Sequence, residues 1–131
     1  MIGLDSNILV RYFSQDDPDQ SRKAVVLIDQ HLTPRRPGFI SIVALAETMW
    51  VLKSVHRLTT EEMASVLERM LVADNLVLEH EAEVATALTA LWDGHGDFGD
   101  ALIGAINARS GCSRTLTFDR KALRLPGFEL L

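Results

Sequence analysis

Acidic residues occur where strands are expected to end and helices to begin. Asp5 follows a short apolar segment at the N-terminus, and Asp119 follows the segment Thr115–Thr117. Asp97 and Asp100 open a third segment that becomes strongly apolar directly afterwards. Carboxylates that meet repel one another unless a cation offsets their charge. Hard divalent cations with oxygen ligands do this, and Mg²⁺ usually takes one or two carboxylates and keeps several waters.

Glu47 is a further candidate, because it lies inside an apolar segment. The pattern predicts a helix from Ser41 to about His56. On that helix Glu47 shares a face with Val43, Ala46 and Trp50. An ionised glutamate rarely lies on a core-facing stripe, since desolvating a lone charge is costly. The alternative is that Glu47 lies at the edge of the stripe and reaches solvent.

Each of the other acids also has a purely structural alternative. Asp5 and the polar residues after it could form a turn. Asp97 could cap the helix that follows, and Asp100 lies near the same helix end, where the helix dipole favours negative charge. Asp119 could cap a short helix near the C-terminus. These alternatives remain open for each residue taken alone.

The elements that would position these acids alternate between strand and helix. Helices are expected from about Asp19 to Leu32, from Ser41 to about His56, after Thr59, from Glu81 to about Trp92, and from Asp97 to near Gly111. Strands are expected at the N-terminus, at Phe39–Ile40, at Leu76–Leu78, at Thr115–Thr117 and at Phe128–Leu130. This order predicts an α/β fold with a mostly parallel sheet. Ligands bind beyond the carboxyl ends of such strands, where Asp5 and Asp119 would lie.

The composition excludes several classes of protein. With 131 residues, 47% of them hydrophobic, the chain fits one folded domain rather than a disordered protein. No apolar run reaches the roughly 18 residues of a membrane-spanning helix, and no signal peptide is recognisable. Cys112 is the only cysteine, and the histidines, His31, His56, His80 and His95, lack zinc-ligand spacing. We therefore expect a cytoplasmic protein without a zinc centre.

The net charge of −5 does not oppose a phosphate-bearing substrate, because the excess lies in the candidate site. The candidate acids are Asp5, Glu47, Asp97, Asp100 and Asp119. Without these acids, the remaining acidic residues equal the Lys and Arg residues in number. Candidate phosphate contacts are Arg11, Arg35, Arg36, Lys53, Arg57, Arg120 and Lys121. For most of these the alternative is a solvated surface position.

Three segments of the chain resemble the motifs of a known family. "LDSNILVRYF", "SIVALAETMWVL" and "DFGDALIGAINARSGCSRTLTFDRKA" are similar to the motifs of PIN-domain ribonucleases, specifically VapC-type toxins of bacterial toxin–antitoxin modules. The similarity spans nearly the whole chain, with the acidic motifs in the expected order. It implies one PIN-like domain over residues 1–131. The implied fold is a three-layer α/β/α arrangement, with a mostly parallel central sheet of four to five strands flanked by helices.

The resemblance also implies roles for the acids. Asp5 and Asp100 would be metal ligands, and Glu47 and Asp119 would complete an acidic catalytic quartet. Asp97 would be an accessory acid, and Glu47, Asp97 and Asp119 would be additional or water-mediated ligands.

Three smaller residues complete the comparison with the family motifs. Ser6 and Thr117 match positions that often carry a small hydroxyl residue near the site. Gly99 departs from the pattern, because the family commonly has Ala there. Glycine costs some stability in a helical turn, but this difference removes no ligand.

The implied activity is hydrolysis of RNA phosphodiester bonds by a Mg²⁺- or Mn²⁺-dependent endoribonuclease. The substrate would be single-stranded or loop RNA, because a regular A-form duplex holds its backbone rigidly. The resemblance further implies a homodimer neutralised by a VapB-type antitoxin. The main alternative is a PIN-fold binding module without catalytic activity. A phosphotransfer receiver domain is disfavoured, since Leu76–Leu78 leads to Glu79-His80-Glu81 without the required aspartate.

Overall fold

The computed structural model describes residues 1–131. The chain forms two compact units, the N-terminal unit Met1–Glu79 and the C-terminal unit His80–Leu131. No helix combines the length and the apolar character needed to cross a membrane.

The N-terminal unit contains a three-stranded parallel sheet and four α-helices. The strands pair in sequence order and are β1 (Ile2–Gly3), β2 (Gly38–Ile40) and β3 (Leu76–Leu78). The helices are α1 (Ser6–Ser14), α2 (Pro18–Val26), α3 (Ile42–Ser54) and α4 (Thr60–Val72). A π-helical turn, Leu27–His31, continues α2. Parallel pairing brings the carboxyl ends of the three strands to one edge of this sheet.

Local sequence signals account for where α2 and α4 begin. The Asp17 carboxylate accepts a hydrogen bond from the backbone N–H of Gln20, and Pro18 occupies the first helical position. Thr59 and Glu62 form a reciprocal capping box at the start of α4. The apolar stripe of α4, with Leu67 and Met70 almost fully buried, belongs to the core of the chain.

The first residue of β2 must be small. A Cβ atom on Gly38 would lie 2.7 Å from Cδ1 of Leu4 and 2.8 Å from Cδ1 of Leu32. Both leucines are buried, so neither can move away freely. Gly38 therefore lets the buried side chains that surround the sheet approach its central strand closely.

The C-terminal unit contains two α-helices and a two-stranded parallel sheet. Its elements are α5 (Glu81–Trp92), α6 (Phe98–Arg109), β4 (Thr115–Thr117), a 3₁₀ helix (Arg120–Arg124) and β5 (Phe128–Leu130). α5 and α6 pack against each other. A Cβ atom on Gly104 of α6 would lie 2.6 Å from the Phe128 ring, so this glycine lets β5 pack closely on the helix.

The predicted α/β class with parallel strands is confirmed. The predicted strands are present, but they hydrogen-bond as one set of three and one set of two rather than as one continuous sheet. Helix α1 was not predicted, because the polar residues after Asp5 read as a turn. The single domain over residues 1–131 stays a prediction.

Candidate active site

Asp5 lies between the end of β1 and the start of α1. It occupies the N-cap position with extended backbone angles, but its side chain makes no capping hydrogen bond. Asn7 Nδ2 instead donates a hydrogen bond of 3.1 Å to Asp5 Oδ2. The carboxylate is exposed and forms no ion pair. A turn alone therefore does not describe Asp5. The residue connects a strand to a helix, and its exposed carboxylate makes no capping hydrogen bond.

Glu47 lies on an exposed face of α3. Val43 and Trp50, which share that face, are 72% and 65% exposed. The prediction that this stripe faces the core is wrong, and the alternative that Glu47 reaches solvent is correct. The buried side chains of the helix are Ala44, Leu45, Thr48, Met49 and Leu52. Because α3 is apolar on almost every side, sequence periodicity could not identify its buried face.

The start of α3 is held by two side chains. Ser41 Oγ accepts a hydrogen bond of 3.2 Å from the Ala44 N–H. Glu79 Oε2 accepts one of 2.7 Å from the Ile42 N–H. Glu79 directly follows β3, and the negative charge also suits the helix dipole. Sequence reasoning used Glu79 only to exclude a receiver domain and missed this positioning role, although its place after a strand was the available signal.

Asp97 and Asp100 flank Gly99 at the start of α6. Asp97 occupies the N-cap position, yet its side chain makes no capping hydrogen bond. The capping alternative is therefore not realised for Asp97. Asp100 lies on the first helical turn and is partly buried. A Cβ atom on Gly99 would lie 3.1 Å from Asp97 Oδ2, so glycine leaves room for this carboxylate above the turn.

Asp119 does cap a helix. Its Oδ1 accepts a hydrogen bond of 2.9 Å from the Lys121 N–H at the start of the 3₁₀ helix. Thr117 Oγ1 in turn accepts one of 3.0 Å from the Asp119 N–H. The alternative that Asp119 is a helix cap is therefore correct, and the cap uses one oxygen of its exposed carboxylate. Thr117 therefore helps to fix the backbone that carries Asp119.

The candidate phosphate contacts differ in how firmly they are held. Arg11 Nη1 lies 2.9 Å from both carboxylate oxygens of Asp16, and Arg11 Nε donates to Gln20 Oε1 at 2.8 Å. The hydrogen bond from Ser14, followed by the interaction with Arg11, lowers the pKa of Asp16. Arg120 and Lys121 are exposed in the 3₁₀ helix that Asp119 caps.

The candidate acids of each unit offer the type of donor atom that a hard divalent cation prefers. All of the donors are carboxylate oxygens, and Asp5 and Glu47 form no ion pair with a basic side chain. No group of three or more His, Cys, Asp or Glu side chains is arranged to hold a metal ion. Mg²⁺ needs only one or two carboxylates, with water completing its octahedron. The assignment of individual metal ligands stays a prediction.

Comparison with known proteins identifies the family. The sequence model of the PIN domain family matches residues 2–127, a range that includes all five candidate acids. No curated protein matches the chain. Because the match covers most of the sequence and parts of both compact units, the chain belongs to the PIN domain family.

Proposed function

We propose that this protein is a metal-dependent endoribonuclease of the VapC type. PIN domains are generally nucleases, and such nucleases generally use divalent metals. The observation that carries the proposal is the environment of Asp5. Its carboxylate is exposed at the end of β1, accepts a hydrogen bond from the Asn7 amide and forms no ion pair with a basic residue. A structural aspartate would be expected to cap α1 or to pair with a cation, and Asp5 does neither.

Each carboxylate would have a different role in the cleavage of RNA. Asp5 and Asp100 would hold the cation, which supplies positive charge to the phosphate oxygens and lowers the pKa of a water. Glu47 makes no hydrogen bond in the chain, so its carboxylate is available to orient that water or to accept its proton. Asp119 uses one oxygen for its helix cap and keeps the other for the same purpose.

Single-stranded or loop RNA suits this arrangement better than a duplex. A flexible strand can bend to bring one phosphate to the carboxylates, whereas an A-form helix cannot. The acids would repel the neighbouring phosphates, so basic residues must hold the flanking backbone. Arg120 and Lys121 are suited to this role because they are exposed and follow Asp119 directly.

A VapC-type protein would also act with partners. We propose a homodimer and a VapB-type antitoxin whose C-terminal segment covers the acidic site. The exposed Val43 and Trp50 on either side of Glu47 offer apolar surface for such a partner. Light scattering on the protein, expressed alone and with its neighbouring open reading frame, tests this. A strict monomer without a copurifying protein would contradict it.

The activity is tested with three labelled RNAs of matched length, one linear, one hairpin and one duplex. We expect internal cleavage of the linear RNA and of the hairpin loop with Mg²⁺ or Mn²⁺, and none with EDTA. The duplex should remain intact. RNA binding without cleavage under every metal condition would instead identify a binding module that has kept the fold and lost the chemistry.

A further inference from the structure

A pocket next to Asp5 is not used by the mechanism described above. It lies between α1 and α2 in the N-terminal unit and has a volume of about 230 Å³. We call it the α1–α2 pocket. Its lining residues are Asn7, Ile8, Arg11, Gln20, Lys23, Ala24 and Leu27. The volume is below the range of about 300–1,000 Å³ that is usual for drug-sized ligands, so the occupant must be small.

The charged groups of the pocket are already neutralised. Arg11 is bound by Asp16, and Lys23 Nζ lies 3.2 Å from Asp19 Oδ2. A phosphate entering the pocket would therefore meet cations that carboxylates already hold. An uncharged occupant does not need to displace those ion pairs. The charge pattern thus favours a neutral group over a phosphate.

The remaining walls suit a flat, mostly apolar group with polar edges. Ile8, Ala24 and Leu27 provide apolar surface. Gln20 uses its Oε1 for Arg11, and Asn7 uses its Nδ2 for Asp5. The Gln20 Nε2 donor and the Asn7 Oδ1 acceptor make no hydrogen bond inside the protein. A heterocycle with both donor and acceptor atoms could satisfy them together.

Asn7 connects the pocket to the candidate site. The same side chain lines the pocket and donates to Asp5 Oδ2 at 3.1 Å. A group that contacts Asn7 therefore lies one side chain away from a proposed metal ligand.

We propose that the α1–α2 pocket receives one unstacked nucleobase of the RNA strand, next to the phosphate that is cleaved. This inference rests on the proposed ribonuclease function and adds a source of sequence preference to it. Single-stranded RNA is commonly read by splaying bases into pockets and hydrogen-bonding their edges. The pocket offers apolar walls for the base and one free donor and one free acceptor for its edge.

The experiment combines altered pockets with altered substrates. The preferred cut site is first mapped in a pool of randomised single-stranded RNA. Oligonucleotides with that site are then made with a single abasic nucleotide at each position around the cut. For the unaltered protein, we expect an abasic nucleotide at one position beside the cut to lower kcat/KM roughly tenfold, the scale of one lost base contact. Other positions should matter less.

Two variants test whether the pocket causes that loss. Ala24→Leu fills the pocket, so base-containing and abasic substrates should be cleaved at nearly equal rates. Gln20→Glu keeps the acceptor for Arg11 but removes the free donor, so the preferred base at that position should change. Gln20 is exposed, so this variant should fold even if Ala24→Leu does not. The control Arg22→Leu adds a leucine to an exposed position of α2 outside the pocket and should behave like the unaltered protein.

The outcomes separate the pocket from the activity. If metal-dependent cleavage occurs but both variants keep the abasic effect and the base preference of the unaltered protein, the pocket proposal is wrong and the ribonuclease function stands. If the variants cleave normally but escape inhibition by a copurifying protein, the pocket serves a protein partner and the base proposal is again wrong. If the unaltered protein cleaves no RNA, the proposed ribonuclease function and the pocket proposal are both wrong.

Discussion

At the scale of single residues, the candidate acids differ in the interactions that they make within the fold. Glu47 has no structural partner, Asp5 has an amide partner, and Asp119 caps a helix. Replacing a carboxylate by its amide removes the charge but keeps an oxygen that can accept a hydrogen bond. Amide substitutions can therefore separate a catalytic role from a structural one, and the expected result differs from residue to residue.

Glu47→Gln should abolish most of the activity and leave stability unchanged. The side chain is exposed and makes no hydrogen bond, so the free energy of unfolding should change by less than about 0.5 kcal/mol. Loss of a general base should slow cleavage by roughly 10²–10⁴-fold. Urea unfolding and cleavage kinetics check the two parts. A large loss of stability would show that Glu47 has a structural role.

Asp119 calls for a pair of substitutions. Asp119→Asn keeps an acceptor for the Lys121 N–H, whereas Asp119→Ala removes both the cap and the charge. We expect Asp119→Ala to be less stable than Asp119→Asn by about 1 kcal/mol, and both variants to lose activity. Thermal unfolding and cleavage assays measure this. If Asp119→Asn retained full activity, the residue would be a helix cap and no more.

At the scale of elements, the positions of the acids depend on how each helix begins. Ser41 and Glu79 fix the start of α3. Asp97 is the N-cap residue of α6 and Asp100 lies on its first turn, so the positions of both carboxylates depend on how this helix begins. Two glycines of α6 allow a matched comparison on one helix, since each faces a different kind of neighbour.

Gly99→Ala should stabilise the protein, and Gly104→Ala should destabilise it. At Gly99 the new methyl group meets an exposed carboxylate oxygen at 3.1 Å, which needs to shift only slightly. The gain in helix propensity should be up to about 1 kcal/mol, with cleavage nearly unchanged. At Gly104 it meets the Phe128 ring at 2.6 Å, and overpacking should cost about 1–3 kcal/mol. Urea unfolding of both variants decides this, and equal stabilities would contradict it.

The sequence predicted the elements with clear local signals and failed where the signals were weak. The proline at the start of α2 and the capping box of α4 act through neighbouring residues, so they are visible in a linear sequence. The buried face of α3 was missed because apolar residues surround that helix on almost every side. Helix α1 was missed because Asp5 and the polar residues Ser6 and Asn7 are typical of a turn, although Ser6 and Asn7 belong to the first turn of this helix.

The same limit applies to the candidate site. The positions of the acids at strand ends and helix starts follow from the order of the elements and could be predicted. Glu79 stands directly after a strand, which marks it as a candidate, but its partner Ile42 is 37 residues away and cannot be identified from the local sequence. The α1–α2 pocket likewise results from the packing of two helices.

At the scale of the whole molecule, the proposal predicts that stability depends on divalent cations. A cation that binds only the folded protein raises the free energy of unfolding by about 2.7 kcal/mol at 100 times its dissociation constant. Mg²⁺ or Mn²⁺ should therefore raise the melting temperature. The increase should be smaller in Asp5→Asn. A thermal scan with and without EDTA measures this, and identical shifts for both proteins would contradict Asp5 as a ligand.

The central claim is that the acidic residues cleave RNA by means of a divalent cation. Its most direct test is single-turnover cleavage of a labelled single-stranded RNA by the unaltered protein and by Asp5→Asn, at concentrations that bind equal amounts of RNA. We predict that Asp5→Asn is slower by roughly 100-fold or more, equivalent to about 2.7 kcal/mol in the barrier. EDTA should stop the unaltered protein, and excess Mg²⁺ should restore it. Equal cleavage by both proteins, or cleavage that survives EDTA, would contradict the account.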